Sequence, residues 1–188
     1  MGKSSTGKDS FYKKLMKDPN LGLKNIVMYT TRPIRAGETD GVEYHFVTEE
    51  ELSHLQSQGK VIECRSYDTI HGIWYYFTVD DRQINLKEHD YIVIGTLESY
   101  LACRAYFGKE ALKPVYIEVD DGVRLQRALD RERTQDSPKY QEMCRRYLAD
   151  SDDFSEDKIE EAQIDRRFVN DDFDRCLEEI TEYIKTFL

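Results

Sequence analysis

At 188 residues the chain suits one domain, large enough to bury a core without disulfide or metal staples and with room for a small inserted subdomain. A 39% hydrophobic and 34% charged composition reads as globular, and 37 acidic against 27 basic residues, net −10, exclude a general nucleic-acid surface, whose footprint is basic. No stretch approaches about 18 apolar residues, no signal peptide opens the chain, and Cys64, Cys103, Cys144 and Cys176 form no C-x-x-C pair, so the expectation is a cytoplasmic protein with reduced core cysteines and no membrane partner.

The first ten residues, Met1-Gly-Lys-Ser-Ser-Thr-Gly-Lys-Asp-Ser10, place Gly2, Gly7 and Lys8 at the spacing G-x-x-x-x-G-K. In that pattern backbone N–H groups and a lysine ammonium converge on a polyphosphate. Phe11 and Leu15 recur at i, i+4 directly after it, so the loop would feed the positive end of a helix, where an anion is best held. A Gly/Ser-rich tail running into an amphipathic helix would use the same letters. The pattern wants Ser or Thr after the lysine to ligate magnesium. Here Asp9 stands in that place with Ser10 one position on, and both are candidate Mg²⁺ ligands. Only Met1 precedes Gly2, although such a loop ordinarily hangs from a strand, so residues 2–8 are expected to be poorly anchored and stability low.

Asn20 to Lys24 reads as a turn and Ile26–Tyr29 as a short buried strand. The loop-rich stretch from Thr30 to Val47 follows, with Arg32 and Arg35 three apart. Two guanidiniums there would clamp a phosphate bidentately without losing charge, or stand as solvated surface arginines. Thr48-Glu-Glu-Glu51 is a capping box opening a helix with Leu52 and Leu55 that stops at Gly59. Val61–Tyr67 and Ile73–Val79, joined by a loop holding His71-Gly72, predict an inserted, largely antiparallel sheet. Glu63 lies among apolar residues of its first strand, as a surface-facing alternate position or as a carboxylate that recognises a base.

Tyr91–Gly95 is a continuous apolar run, the mark of a strand covered on both faces, and Leu97–Tyr106 reads as a helix ended near Gly108. Pro114–Val119 repeats the strand signal and Val123–Arg133 the helix signal, with Leu125, Ala128 and Leu129 on one face. This alternation argues for a parallel α/β sheet. Arg124, Arg127, Arg131 and Arg133 precede the polar break Thr134–Pro138, and Arg145 and Arg146 follow it. Such a distribution suits a lid closing over phosphates, or ordinary helix-surface pairing with the interleaved acids. Asp150–Glu161 reads as an acidic, solvated helix face, Arg167–Asp172 as strand and turn, and Phe173, Leu177, Ile180 and Ile184 stripe the final helix.

Taken together, T-T-R-x-x-R-x-G-E-x-x-G-x-x-Y-x-F-V from Thr30 to Val47, the I-E of Ile62-Glu63, Y-x-T at Tyr76–Thr78, the arginines at 127, 131 and 146, and V-N-D-D at Val169–Asp172 resemble the guanylate kinase family along essentially the whole chain. The resemblance implies a three-layer P-loop kinase sandwich: a core of residues 1–29 and 88–188 around a central parallel sheet, a helical lid about 127–150, and a nucleoside-monophosphate-binding subdomain at 30–87. It implies that Arg32, Arg35 and Tyr44, helped by Tyr76, hold the acceptor phosphate, while Glu63 reads the guanine edge with Thr78 nearby. Gly2, Ser4, Ser5, Thr6, Gly7, Lys8, Asp9 and Ser10 would form the ATP side with Asn170 near the adenine, and Lys8, Arg127, Arg131 and Arg146 would carry the charge of transfer. Two places depart from the family pattern. Ile94-Gly95-Thr96 replaces a D-I-D carboxylate pair, leaving Thr96 as an acceptor-site residue and Glu98 as a possible substitute, and Met28 stands where a guanine-contacting serine is usual. The expected function is ATP-dependent, Mg²⁺-assisted phosphoryl transfer to a nucleoside monophosphate, with GMP or dGMP favoured. The alternatives are a weak or inactive guanylate-kinase-like module that holds a partner protein, and a kinase of another phosphorylated acceptor.

Overall fold

A computed structural model describes residues 1–69 and 72–188 and divides them into two compact units: 1–22, 94–100 and 113–188 in the first, 23–93 and 101–112 in the second. His71 lies outside the described residues. In chain order the elements are α1 (Lys8–Leu15), β1 (Lys24–Asn25), β2 (Tyr29–Thr30), β3 (His45–Phe46), α2 (Glu49–Ser57), β4 (Val61–Thr69), β5 (Gly72–Val79) and β6 (Tyr91–Ile92). They continue as α3 (Leu97–Phe107), a 3₁₀ turn (Lys109–Ala111), β7 (Tyr116–Glu118), α4 (Asp121–Arg133), α5 (Tyr140–Asp153), α6 (Glu156–Glu161), β8 (Arg167–Val169) and α7 (Phe173–Lys185).

In the first unit β7 and β8 run parallel, Ile117 opposite Phe168, as the strand–helix alternation requires. The Met1 amino group donates to the Val115 carbonyl at 2.6 Å and the Ile117 N–H to the Met1 carbonyl at 3.0 Å, so Met1 joins the other side of β7. This anchors the start of the loop, against the expectation of a loose one. The core gathers Leu97, Tyr116, Phe154, Ile159, Ala162 and Ile164, with Met1 and Tyr100 packed on it. On α7 the apolar stripe turns Cys176 and Ile180 fully inward, and Phe173 stacks on Phe11 of α1 with ring centres 4.4 Å apart.

Two expectations in this unit are corrected. Leu125 is 39% exposed, because the inward face of α4 is set by Arg124 and Ala128, one turn apart, and Leu125 lies roughly a quarter-turn round the helix. The acidic stretch is not one solvated helix: α5 ends at Asp153, Phe154 is buried, and α6 turns Ile159 into the core.

The second unit holds a four-stranded sheet in the order β3-β2-β5-β4, parallel between β2 and β3 and antiparallel elsewhere. Its core is Leu52, Phe77 and Val79, and the predicted capping box of α2 forms between Thr48 and Glu51. The two apolar runs expected as strands pair only briefly. Lys24–Asn25 joins β6 in parallel, whereas Val27 is bonded by the Gln83 side chain, N–H to Oε1 at 2.8 Å and Nε2 to O at 3.1 Å. A side-chain amide thus takes the part of a neighbouring strand. Beyond β6, Val93 is 42% exposed, so this run is not covered on both faces.

Of the cysteines expected in the core, Cys176 is buried, Cys64 and Cys103 are intermediate and Cys144 is exposed. Among the described residues no helix is long and apolar enough to cross a membrane.

Candidate active site

The phosphate loop of the first unit is built from close backbone approaches. A Cβ on Gly2 would lie 2.5 Å from the Ile117 carbonyl oxygen, and Gly7, at φ 90°, caps α1 with no side-chain bond to its first turn. The leading N–H groups of α1 are therefore left for an anion. Ser5 adopts φ 66°, a left-handed conformation that costs a residue bearing a Cβ about 1–2 kcal/mol. Buried Thr6 donates to the Lys3 carbonyl at 2.9 Å, and buried Asn170 donates its Nδ2 to the Thr6 carbonyl at 2.8 Å. Asn170 is delivered by the chain leaving β8, its own N–H held by the Glu118 carbonyl at 2.8 Å. In this state its amide braces the loop.

A second brace comes from residues that sequence reasoning gave no such role. The Ser4 N–H donates to Asp150 Oδ2 at 2.7 Å, and the Arg124 Nη1 reaches both Asp150 Oδ2 at 3.2 Å and the Ser4 carbonyl at 3.3 Å. Arg124 is 1% exposed, with Asp121 at 3.0 Å and the Tyr147 ring at 4.2 Å from its guanidinium. Asp150 was read as surface charge, and nothing in its sequence neighbourhood marks it as a loop anchor.

Desolvation by burial lowers the Lys8 pKa; Asp9 and Asp150 oppose that shift, while Arg146 and Arg131 add to it. Lys8 thus feels two of the other predicted transfer cations, Arg131 and Arg146, and Arg146 also donates to Ser4 Oγ at 3.4 Å. The fourth, Arg127, donates to the Asn170 carbonyl at 3.4 Å. Cations placed at the head of a phosphate loop in a protein of net charge −10 suit a bound polyanion. Asp9 and Ser10 are exposed in the first turn of α1. Among the described residues no cluster of three or more His, Cys, Asp or Glu could hold a metal by itself. One or two protein oxygens at the head of a phosphate loop do fit Mg²⁺, which keeps several waters and takes its other ligands from phosphates. Thr96, predicted on the acceptor side, caps α3: its Oγ1 accepts from the Ser99 N–H at 3.2 Å, and its N–H donates to Ser99 Oγ at 2.9 Å.

In the second unit Arg32 and Arg35 differ sharply. Arg32 is 3% exposed and pairs bidentately with Glu38, Nη1 to Oε2 at 2.7 Å and Nη2 to Oε1 at 2.5 Å, with the Tyr44 and Phe46 rings 5.2 and 5.1 Å from its guanidinium. Arg35 is exposed, and its N–H bonds Glu38 at 2.8 Å. Tyr44 lies edge-on to Tyr76 with ring centres 5.6 Å apart. Glu38 is the glutamate of the R-x-G-E pattern, so its position was legible although its task was not: it holds a buried cation in place. The bonds from Arg32 push the Glu38 pKa down to about 2. Because the folded value lies below the ordinary 4.5, this pair stabilises the fold above about pH 4.5 and loses that contribution as pH falls to about 2. In denaturant melts across this range, the stability gap between wild type and Glu38→Gln should close on acidification; a gap that stays constant would remove Glu38 from the acid response.

Glu63 is 5% exposed, which excludes the surface-facing reading. Its Oε1 accepts from Thr78 Oγ1 at 2.8 Å, and Arg65, two residues on and on the same face of β4, donates Nε to Oε2 at 3.0 Å and Nη2 to Oε1 at 3.5 Å. Arg65 Nη2 also points at the Met28 sulfur, 3.8 Å away. The i, i+2 spacing within the strand was the available signal for Arg65.

The guanylate kinase family model matches residues 1–187. The chain is 30% identical to the guanylate kinase of Salinibacter ruber over 164 residues, 86% of this chain and 81% of that protein. It is 27% identical to that of Porphyromonas gingivalis over 188 residues, 98% and 94% of the two. A shorter stretch of 62 residues is 47% identical to the guanylate kinase of Schizosaccharomyces pombe, and there the match spans 33% of this chain and about a third, 31%, of the relative. The crystal structure of guanylate kinase from Anaplasma phagocytophilum superimposes with a TM-score of 0.64 at 18% identity, covering 98% of this chain and 82% of that one, a likeness of fold. With a family model matched from end to end, and the braced phosphate loop and buried Arg32 and Glu63 at the motif positions, the chain belongs to the guanylate kinase family.

Proposed function

We propose that this protein transfers the γ-phosphoryl group of ATP to the phosphate of GMP or dGMP. The observation that carries the reading is Lys8, desolvated at a glycine-capped helix start whose leading N–H groups no side chain caps, with Arg146 donating to Ser4 of the same loop, an arrangement suited to a polyphosphate. Phosphoryl transfer asks for in-line positioning and cations on the spreading charge rather than covalent help from protein. Lys8 and the N–H groups of residues 4–8 hold the donor phosphates, and Asn170 fixes the loop that presents them. Asp9 and Ser10 would hold Mg²⁺, which would supply positive charge to offset that of the donor phosphates. Arg127, Arg131 and Arg146 stabilise the charge in flight. Arg32, Tyr44 and Tyr76 take the acceptor phosphate, with exposed Arg35 free to reach it, and Glu63 and Thr78 take the base. The built and braced loop favours an enzyme over a partner-holding module. The cytoplasm, which supplies both nucleotides and keeps thiols reduced, is its place of action.

The test is a coupled ADP-release assay across the common ribo- and deoxyribonucleoside monophosphates, with and without Mg²⁺. GMP should exceed AMP in kcat/KM, because adenine sets a lone pair against the Glu63 carboxylate where guanine sets an N–H. Glu63→Gln, which places a donor against the base donors, should shrink the GMP/AMP ratio by roughly 10- to 100-fold. A better rate with AMP or a pyrimidine nucleotide would remove Glu63 from the base site.

A further inference from the structure

Arg65 raises a question that the family pattern does not answer. It is a guanidinium in a nearly closed setting, its side chain 10% exposed, held beside a carboxylate that is 2% exposed. Neutralising Glu63 needs only one of its faces. The Nη2 that bonds Glu63 only weakly, at 3.5 Å, is aimed at the Met28 thioether, a poor acceptor. A buried donor facing sulfur has more to gain from an oxygen. The charge of Arg65 is also felt by Tyr44, at the phosphate end of the acceptor residues, and by Cys103.

Set against a purine edge, the order of groups is informative. Guanine presents along one edge an exocyclic amine, a ring N–H and the 6-oxo oxygen: donor, donor, acceptor. Glu63 supplies two acceptor oxygens, and Arg65 supplies donors directly beside them on the same strand face. Arginine donating to the 6-oxo oxygen is the commonest specific contact proteins make with guanine, and its geometry suits the planar guanidinium. Met28 has no donor to offer that oxygen.

We propose that Arg65 reads the 6-oxo oxygen of the acceptor base, so that Glu63 and Arg65 together select 6-oxopurine nucleotides. This rests on the reading that the acceptor is a purine monophosphate, and it assigns Arg65 a specificity role in the second unit. Adenine fails on both halves of the pair. A base that keeps the ring N–H and the amine but carries sulfur at position 6 fails only on the Arg65 half, because sulfur accepts a hydrogen bond weakly.

That difference provides the test. Equilibrium binding of GMP and of 6-thio-GMP is measured without ATP for wild type, Arg65→Met and Arg65→Lys, with thermal melts to verify folding. Arg65→Met should weaken GMP binding by about 10- to 100-fold and 6-thio-GMP binding much less, and Arg65→Lys should recover part of the GMP loss. A variant that loses both nucleotides equally overturns the proposal, because Arg65 would then act only by neutralising Glu63. If Arg65→Met does not fold, the same comparison in Arg65→Lys, which keeps the charge but not the fork, decides the matter. Wild type that binds GMP but transfers nothing overturns the kinase reading and leaves the Arg65 comparison standing. Wild type that binds no GMP overturns both.

Discussion

Lys8→Ala should lower kcat by on the order of a hundredfold or more, in line with removal of one preorganised group that stabilises transition-state charge. Lys8 is half-buried at the start of α1, where desolvation works against its ammonium by more than Asp9 and Asp150 support it, and Arg146 and Arg131 add to that cost. The folded protein holds that charge at a cost, and a bound triphosphate reverses the sign. Removing it should therefore leave the melting temperature of the free protein unchanged or raise it, while ATP no longer raises the melting temperature as it does for wild type. The two readouts together separate function from folding. Lys8→Arg should recover little turnover, since a planar guanidinium fork does not occupy the point that a compact ammonium does. An unchanged rate in Lys8→Ala, measured by coupled ADP release with GMP, would eliminate the phosphate-loop assignment.

What the sequence made legible follows the range of the interactions concerned. The capping box at Thr48 and Glu51, the stripe of α7 and the β4–β5 hairpin are local patterns, and each appears where its period or spacing put it. The strands around Ile26 and Tyr91 were overread because apolar character does not specify a backbone partner; at Val27 that partner is the side chain of Gln83, 56 positions away. The site divides in the same way. Gly7-Lys8, Arg32 and Glu63 stand in motifs and could be named. Their supports, Asp150 for Ser4 and Arg124 for both, are joined across 146, 120 and 26 positions and carry no pattern. Arg65 and Glu38 lie between these cases: they sit within two and six residues of the side chains they serve, in plain view but without an evident task.

Arg124→Met is expected to be the most destabilising single change in the loop's support. Arg124 is closed off from water, and it stands between Asp150 at 3.2 Å, Asp121 at 3.0 Å and the Ser4 carbonyl at 3.3 Å. Methionine fills much of the same volume, so the loss reports the charge and its bonds rather than a cavity. Breaking a buried ion pair on one side costs about 3–5 kcal/mol, and because Asp121 is itself 51% exposed, about 3 kcal/mol is the better figure here. For a chain of this length that corresponds to a fall in melting temperature of roughly 6–12 °C. Asp150 would keep the Ser4 N–H but lose its cation, so its carboxylate becomes the uncompensated partner. Adding Asp150→Asn should then restore part of the loss, since a neutral amide oxygen still accepts from Ser4 and leaves no charge stranded. The ATP KM should rise in Arg124→Met because Ser4 loses its brace, and it should recover in the double variant only as far as the loop does. If Arg124→Met melts within about 2 °C of wild type, an effect under about 1 kcal/mol, the pair contributes nothing net and the loop is held by Met1, Thr6 and Asn170 alone.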